Sequence, residues 1–349
     1  MKKRKQLIAL LGVLAVLCLL YFGAVSLNNG IAAKAQAESE AQAQASRIVL
    51  TDMDAAQIAY ENGTDQLSFY KQDDEWYYQA DKDFPLAQSY LTKLEGLCAQ
   101  LDAVRALDNG DTLAAYGLEN PKYRITITDK DQTQKQLLIG NATNEQYYCK
   151  LADDDTVYTI QGDLVECLKY SVYDMIELDT IPAVTSDTLQ ALSITNPQGS
   201  YTLKKVVTEK EAEVPAKDES DAYTTTSQEV TWTLADDGTE QTVQNTALMD
   251  TVLTALQSFK FSSCIDYKGA ENTTLMQESG LDAPIYSITL TYTDTAASTE
   301  NQVTIYAGNT RADESVYAKL SSKTAVNTVS SDTLLAIAGA LTKDFLSKS

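Results

Sequence analysis

The period of apolar positions changes several times along the chain. Residues 7–27 carry no charged side chain and follow the basic cluster Lys2, Lys3, Arg4 and Lys5. A helix of that length is about 30 Å long, the thickness of the hydrocarbon layer. The pattern predicts a transmembrane signal anchor at 7–27, with residues 1–6 cytoplasmic and the bulk extracytoplasmic. A cleaved signal peptide is the rival reading. Its apolar region is usually about 7–15 residues, shorter than this run, although Ala33-Lys34-Ala35 and Ala35-Gln36-Ala37 would offer a cleavage site. Cys18 falls inside the span, behind Leu17 where a lipidation site wants a small residue, and reads as a packing residue. Residues 28–46 are rich in Ala, Gln, Glu and Ser without an apolar stripe. They predict a solvated polar stalk.

From residue 47 onward the pattern repeats. Tyr116-Gly117-Leu118-Glu119-Asn120-Pro121-Lys122-Tyr123 is answered by Ser279-Gly280-Leu281-Asp282-Ala283-Pro284-Ile285-Tyr286. Gly140-Asn141 matches Gly308-Asn309, Tyr148-Cys149-Lys150-Leu151 matches Tyr317-Ala318-Lys319-Leu320, Asp163 matches Asp332, and Trp76 answers Trp232. Order and spacing are kept, which signals an internal duplication.

In copy 1, alternation over 66–70 and 75–79 around Gln72-Asp73-Asp74 predicts a hairpin. Leu86, Tyr90, Leu91, Leu94, Leu97, Cys98 and Leu101 fall at helical spacing. Pro121 bars further helix and introduces strands at 123–128, 135–139, 146–151 and 157–160. A short closing helix follows, with Asp163 as its N-cap. Copy 2 predicts strands at 200–204 and 229–234, a helix at 245–259, strands at 286–291, 302–306 and 316–320, and a closing helix over 332–346. The fold class expected is α+β: an N-terminal transmembrane helix, then two tandem repeats, each an antiparallel sheet packed with helices. Repeat domain 1 spans 47–180 and repeat domain 2 spans 181–349, divided near Thr180-Ile181-Pro182. Residues 206–228, polar and containing Pro215, read as an inserted hairpin tip that no apolar period holds down.

Charge narrows the function classes. The chain has a formal charge of −22 and no histidine. An acidic chain has no field for sequence-independent nucleic-acid binding. Without histidine, a Ser-His-Asp triad, a Cys-His pair and histidine-bearing zinc sites are excluded. Ser68 and Lys71 have the Ser-x-x-Lys spacing of penicillin-interacting enzymes, but the local pattern is a strand, which points the two to opposite faces. Lys323-Thr324-Ala325 is a poor echo of the Lys-Thr-Gly partner motif. The acidic triplets Asp73-Asp74-Glu75 and Asp153-Asp154-Asp155, like Asp236-Asp237-Gly238, lack calcium-loop spacing and sit where hairpin turns are expected. Cys98, Cys149, Cys167 and Cys264 show no Cys-x-x-Cys spacing and read as buried thiols, a Cys149–Cys167 bridge being the alternative. Twenty tyrosines against six phenylalanines suit half-buried strands, and the same rings could stack on sugars. No catalytic, cofactor-binding or metal-binding residue is assigned.

Trp76, Gly117, Leu118, Pro121, Gly140 and Tyr148, behind an N-terminal anchor, carry a resemblance. The chain resembles a bacterial membrane-anchored family of unknown function, often associated with gliding-motility-type ABC transporter auxiliary proteins. Copy 2 departs from the pattern at Ser279 and Ala307, which stand where copy 1 has Tyr116 and Ile139. The resemblance implies a cell-envelope location and partnership with an ABC-type transport system, and offers no catalytic residues to carry over. The expectation is a single-pass, membrane-anchored, non-enzymatic interaction or assembly protein with no cofactor and no nucleic-acid partner. The alternative is a module binding cell-wall glycan or a similar envelope ligand.

Overall fold

The structure is a computed structural model that describes residues 47–107, 110–214, 223–236, 238–294 and 296–346. The expected anchor at 7–27, the stalk at 28–46 and Cys18 lie outside the described residues. Among those described, no helix is long and apolar enough to cross a membrane. The chain forms two compact units, the second comprising Asp81–Ala87 together with Tyr170–Ser349. The division therefore falls after Lys169, and a short segment between the first hairpin and the first helix belongs to the second unit.

In the first unit β1 (Ile48–Asp52) pairs with β5 (Gln100–Ala103). The main sheet contains β2 (Ala55–Glu61), β3 (Gln66–Gln72), β4 (Glu75–Tyr78), β6 (Arg105–Leu107), β7 (Tyr123–Asp129), β8 (Gln134–Thr143), β9 (Gln146–Leu151) and β10 (Val157–Gln161). Its strand order is β4-β3-β2-β7-β8-β9-β10-β6, and neighbours run antiparallel. Alternation sets the buried face: Tyr123, Ile125 and Ile127 of β7 are buried while Arg124 and Thr126 are half-exposed. The β3–β4 hairpin turns on Asp73 and Asp74 at φ 53° and 65°, the left-handed pair that matches strand twist. Helix α1 (Gln88–Cys98) buries Leu91, Leu94 and Cys98. It is shorter than the apolar spacing implies: Leu86 forms an isolated bridge to Ile176, and Leu101 lies in β5. Helix α2 (Asp163–Leu168) is capped by Gly162 without a side-chain bond, so Asp163 is not the N-cap. As a first-turn residue, Asp163 still complements the helix dipole.

The second unit repeats this plan. Its sheet holds β11 (Leu189–Asn196), β12 (Gly199–Val214), β13 (Tyr223–Asp236), β14 (Thr239–Thr242), β15 (Ser263–Asp266), β16 (Tyr286–Asp294), β17 (Thr299–Thr310), β18 (Ser315–Leu320) and β19 (Val326–Ser330). The order is β14-β13-β12-β11-β16-β17-β18-β19-β15, the first unit's order with β14 added at one edge. Registers agree as well as order. Tyr60 faces Ile125 where Ile194 faces Ile288, and Lys71 faces Trp76 where Lys205 faces Trp232. The two tryptophans are therefore structurally equivalent, as the repeat implies. Leu192, Ile194, Leu203, Ile288 and Ile305 pack against Val252 and Leu256 of α3 (Ala247–Ser258) and against Leu334 and Ile337 of α5 (Ser331–Ala338). Helix α4 (Thr273–Glu278) precedes the Gly280 turn.

Two expectations are corrected here. The closing helix does not run over 332–346: α5 is capped at Gly339 and a separate 3₁₀ turn follows at Lys343–Leu346. The insertion at 206–228 is mostly strand, since β12 and β13 stay paired out to Val214 and Tyr223. Backbone pairing carries the strands out past the rest of the sheet, supplemented by cross-strand contacts such as Lys210–Glu229 (2.5 Å), each of which adds only a small increment.

Candidate functional site

The residues that make the repeat recognisable serve one local device. Gly117 and Gly280 have φ of +71° and +68°, the left-handed region natural to glycine. Each turn is met by a bulge: the register slips between Ile139 and Ala142 in one copy and between Ala307 and Thr310 in the other. A Cβ on Gly140 would lie 2.2 Å from the Tyr116 carbonyl oxygen, and one on Gly308 would lie 2.1 Å from that of Ser279. The bulge asparagines close the contact. Asn141 donates its N–H to Tyr116 O (2.8 Å) and its Nδ2 to Ala115 O (3.1 Å); Asn309 does the same to Ser279 O (2.7 Å) and Glu278 O (2.9 Å). Leu118 and Leu281 plug the core below. A second matched pair, which sequence comparison missed, is Asn62 and Asn196. They donate to the last carbonyls of the closing helices, Leu168 O (3.1 Å) and Ala338 O (3.0 Å).

The chemistry-bearing residues singled out in the sequence are dispersed. Ser68 and Lys71 are three apart on β3 and so face opposite ways, and Lys71 Nζ is held by Glu95 at 3.1 Å. Lys323, Thr324 and Ala325 lie in the second unit. Asp154 accepts the Thr156 N–H (2.9 Å) and the Tyr158 hydroxyl (2.7 Å), bonds that hold its carboxyl below the usual range. Among the described residues, no group of three or more His, Cys, Asp or Glu is arranged to hold a metal. Cys98, Cys149, Cys167 and Cys264 are free and buried, so the alternative Cys149–Cys167 bridge is not formed. Burial pushes the thiols of Cys149 and Cys264 up to about 12. Tyr60 and Tyr123 are buried, Tyr70 and Tyr77 stack at 5.5 Å, and Tyr116 and Tyr148 tilt together at 4.6 Å.

Features that periodicity did not reveal concentrate in the second unit. The first is a ribbon. Beyond Lys204, the last β12 residue that pairs with β11, residues 205–214 pair only with 223–232. At about 3.3 Å per residue this two-stranded arm is roughly 30 Å long. Val207 and Val230 sit directly opposite each other on it, 49% and 50% exposed.

The second feature is a cleft of about 310 Å³. One wall is Asp81–Ala87, fastened by Ala87 N–H to Met175 O (2.8 Å) and Glu177 N–H to Pro85 O (2.7 Å). Phe84 of this strap meets Tyr173 and Tyr267 edge-on at 5.5 and 5.3 Å. Asp81 accepts from the Tyr267 hydroxyl and from Lys268. The Tyr267 bond is the main cause holding the Asp81 carboxyl below the ordinary range, while burial and Asp81 push the Tyr267 hydroxyl up. The cleft itself is lined by Asp83, Glu177, Asp179 and Glu271, with Asn327 among its other lining residues. Asn327 occupies the register position of Tyr158: Cys264 faces Asn327 as Ala106 faces Tyr158. That Tyr-to-Asn difference was the one signal in the sequence for the cleft.

A third feature is a separate depression of about 430 Å³ lined by Tyr201, Tyr286, Asn196, Gln198, Leu335 and Thr342, without a charged side chain.

No curated protein and no solved structure matches the chain. A family model does: that of the domain of unknown function DUF4340 matches residues 76–284, from Trp76 through the Gly-Leu-x-x-Pro turn of the second copy.

Proposed function

Since the chain belongs to the DUF4340 family, whose function is unknown, we propose that it is a membrane-anchored, extracytoplasmic, non-enzymatic assembly subunit that works with an ABC-type transport system. The anchor rests on the uncharged stretch 7–27 behind four basic residues, and the partner on the family resemblance. The observation that carries an assembly role is the ribbon. An isolated two-stranded hairpin is at best marginally stable in water, yet this one exposes its opposed valines, Val207 and Val230. Since each valine is already about half covered, burying the pair against a partner would gain roughly 1 kcal/mol per side chain. Strand addition along either free ribbon edge supplies a second mode of contact.

The test is photo-cross-linking in native membranes from a probe placed at Val207 or at Val230, with products identified by mass spectrometry. A transporter subunit captured in stoichiometric amount is the expected result. Recovery of the chain alone from both positions, or of a soluble form beginning near Gln36 or Glu38, would sink the reading.

Glycan binding is the second reading, and the uncharged depression beside Tyr201 and Tyr286 favours it. Aromatic faces with neighbouring amides suit neutral sugars. Retention on purified cell wall that Tyr201→Ala and Tyr286→Ala both abolish would move this reading ahead.

A further inference from the structure

The β13 edge of the second sheet is closed at its tryptophan and left open beyond it. Val243 N–H donates to Trp232 O at 2.8 Å, so the backbone of Trp232 faces away from β12. In an antiparallel pair each residue sends its N–H and C=O to one side, and its chain neighbours send theirs to the other. Counting back from Trp232, the groups of Val230, Gln228 and Thr226 also point away from β12. The Thr208 hydroxyl fixes the phase, since it bonds from β12 to the carbonyl of the intervening Glu229 (3.3 Å). β14 pairs only with Thr233–Asp236, and among the described residues nothing pairs with the outward groups of the other three. The first copy closes the matched edge with a side chain. Gln88 Oε1 accepts the Trp76 N–H (2.8 Å) and its Nε2 donates to the Trp76 carbonyl (2.9 Å).

The two free edges of the ribbon are unlike. Residues 205–214 of β12 carry five charged side chains, Lys205, Glu209, Lys210, Glu211 and Glu213, whereas residues 223–232 of β13 carry one, Glu229. Charged side chains, lysine above all, guard a sheet edge against an added strand. The β12 edge is therefore guarded, and the threonine-rich β13 edge is not. The side chains along it set the chemistry of what would fit. Val230 lies on one face, opposite Val207. Glu229 lies on the other, 46% exposed although bonded to Lys210; a carboxylate has acceptor sites beyond those one ammonium fills. Residues 205–232 hold seven acidic side chains against three basic, in a chain of formal charge −22. A second copy would meet that field with its own sign, whereas a basic segment is drawn toward it.

We propose that the free edge of β13 accepts an extended basic segment of a partner as an added strand, hydrogen-bonded to the outward backbone groups of Thr226, Gln228 and Val230. Apolar residues of that segment lie beside Val230 and its lysines beside Glu229. The inference rests on the assembly reading for its setting, and specifies the edge and the partner chemistry. The two fail separately: a strand-binding ribbon from which no transporter subunit is captured at Val207 or Val230 sinks only the transporter, and capture without strand binding sinks only the edge.

Peptide-observed NMR on the full-length protein in an uncharged detergent tests it. The probe is a blocked seven-residue peptide of alternating valine and lysine. The comparator replaces each valine by proline, which keeps the charge but removes the N–H groups that would face β13. Saturable binding of the valine peptide that the proline peptide does not displace is expected. Gln228→Pro should weaken it about tenfold, since it deletes an outward N–H without taking a bond from β12. Glu209 lies directly opposite Gln228 and faces outward from the β12 edge, so Glu209→Pro should leave the affinity unchanged. Equal binding of the proline peptide would reduce the edge to a diffuse negative field and overturn the proposal. So would an absence of saturable binding, an unaffected Gln228→Pro protein, or a loss in Glu209→Pro as large as in Gln228→Pro. Should Gln228→Pro fail to fold, Glu229→Lys decides: a loss of a few fold is expected, and unchanged affinity overturns the proposal.

Discussion

Single atoms decide several positions in this molecule, and the glycines show it most directly. A Cβ at Gly140 or Gly308 would press on a backbone carbonyl at 2.2 or 2.1 Å, and backbone held by a turn and a bulge together has nowhere to move. Gly140→Ala and Gly308→Ala should each destabilise by about 3 kcal/mol, at or above the upper end of ordinary overpacking. Gly96 is the internal control. It lies within α1 with open space where a Cβ would go, so Gly96→Ala should stabilise by about 0.4–1 kcal/mol. Urea unfolding of the three variants checks both signs, and a neutral Gly140→Ala would refute the clamp. The thiols give a second residue-scale test. Cys98 and Cys149 are fully buried, and desolvation raises both, Cys149 to about 12. Since the thiolate is the reactive form, alkylation in native buffer should leave both unlabelled, whereas the same reagent in urea should modify both. Labelling in native buffer, read by peptide mass mapping, would show that these interiors open.

The elements are held by bonds between distant segments. Asn62 and Asn196 each tie the turn after a strand to the end of a closing helix. Loss of either amide leaves a helix-terminal carbonyl unmet, and Asn62→Ala and Asn196→Ala should cost about 1–3 kcal/mol each, measurable as a lowered urea midpoint. The strap adds a pH-dependent bond. The Asp81 carboxyl is held below its ordinary value chiefly by the Tyr267 hydroxyl, so the charged form is favoured in the folded chain. Its contribution is present above the unfolded value of about 3.9 and is lost as pH falls through the lower folded value. Asp81→Asn should therefore lower the midpoint at pH 7, and its deficit against wild type should shrink as pH falls below the ordinary carboxylate value. A deficit that stays constant as pH falls through the acid range would show that the bond does not depend on ionisation. These elements were unevenly legible. Strands such as β7 and β16 alternate cleanly and were read from the sequence, as were the β3–β4 turn and the core of α1. β2 was missed because Ala55, Ala56, Gln57 and Ala59 favour helix by propensity; hydrogen bonding to β3 and β7 on both sides overrides that preference. β11 escaped in the same way, paired on both sides by β12 and β16. The strap was illegible because Leu86 falls on the helical period of α1 yet bonds to Ile176, a long-range contact that no local pattern encodes.

Across the whole molecule, the two units preserve strand order, register, bulge and asparagine tie, and they differ where the second copy has been elaborated. The ribbon, β14 and the Asn327 cleft all belong to the second copy, while their counterparts in the first are a short hairpin, a free sheet edge and a satisfied tyrosine. Duplication permits this: one copy keeps the packed arrangement while the other accepts an open cleft and an exposed apolar pair. Both copies share a constraint of charge. With a formal charge of −22, self-repulsion opposes the compact state, whereas solvent screens surface pairs such as Lys130–Asp54, each side chain 66% exposed, so that each contributes little. Salt acts oppositely on the two effects. Raising the ionic strength from about 0.01 M to about 0.1 M shortens the screening length from about 30 Å to about 10 Å, which weakens both the repulsion and the pairs. Repulsion sums over the whole surface and the pairs are few and local, so the net effect should be stabilising. The thermal midpoint should rise by a few degrees, the shift that about 1 kcal/mol produces in a domain of this size. A midpoint that falls with added salt would mean that local ion pairs outweigh the collective charge. The acidity would then have to be explained by partners, not tolerated as a surface property.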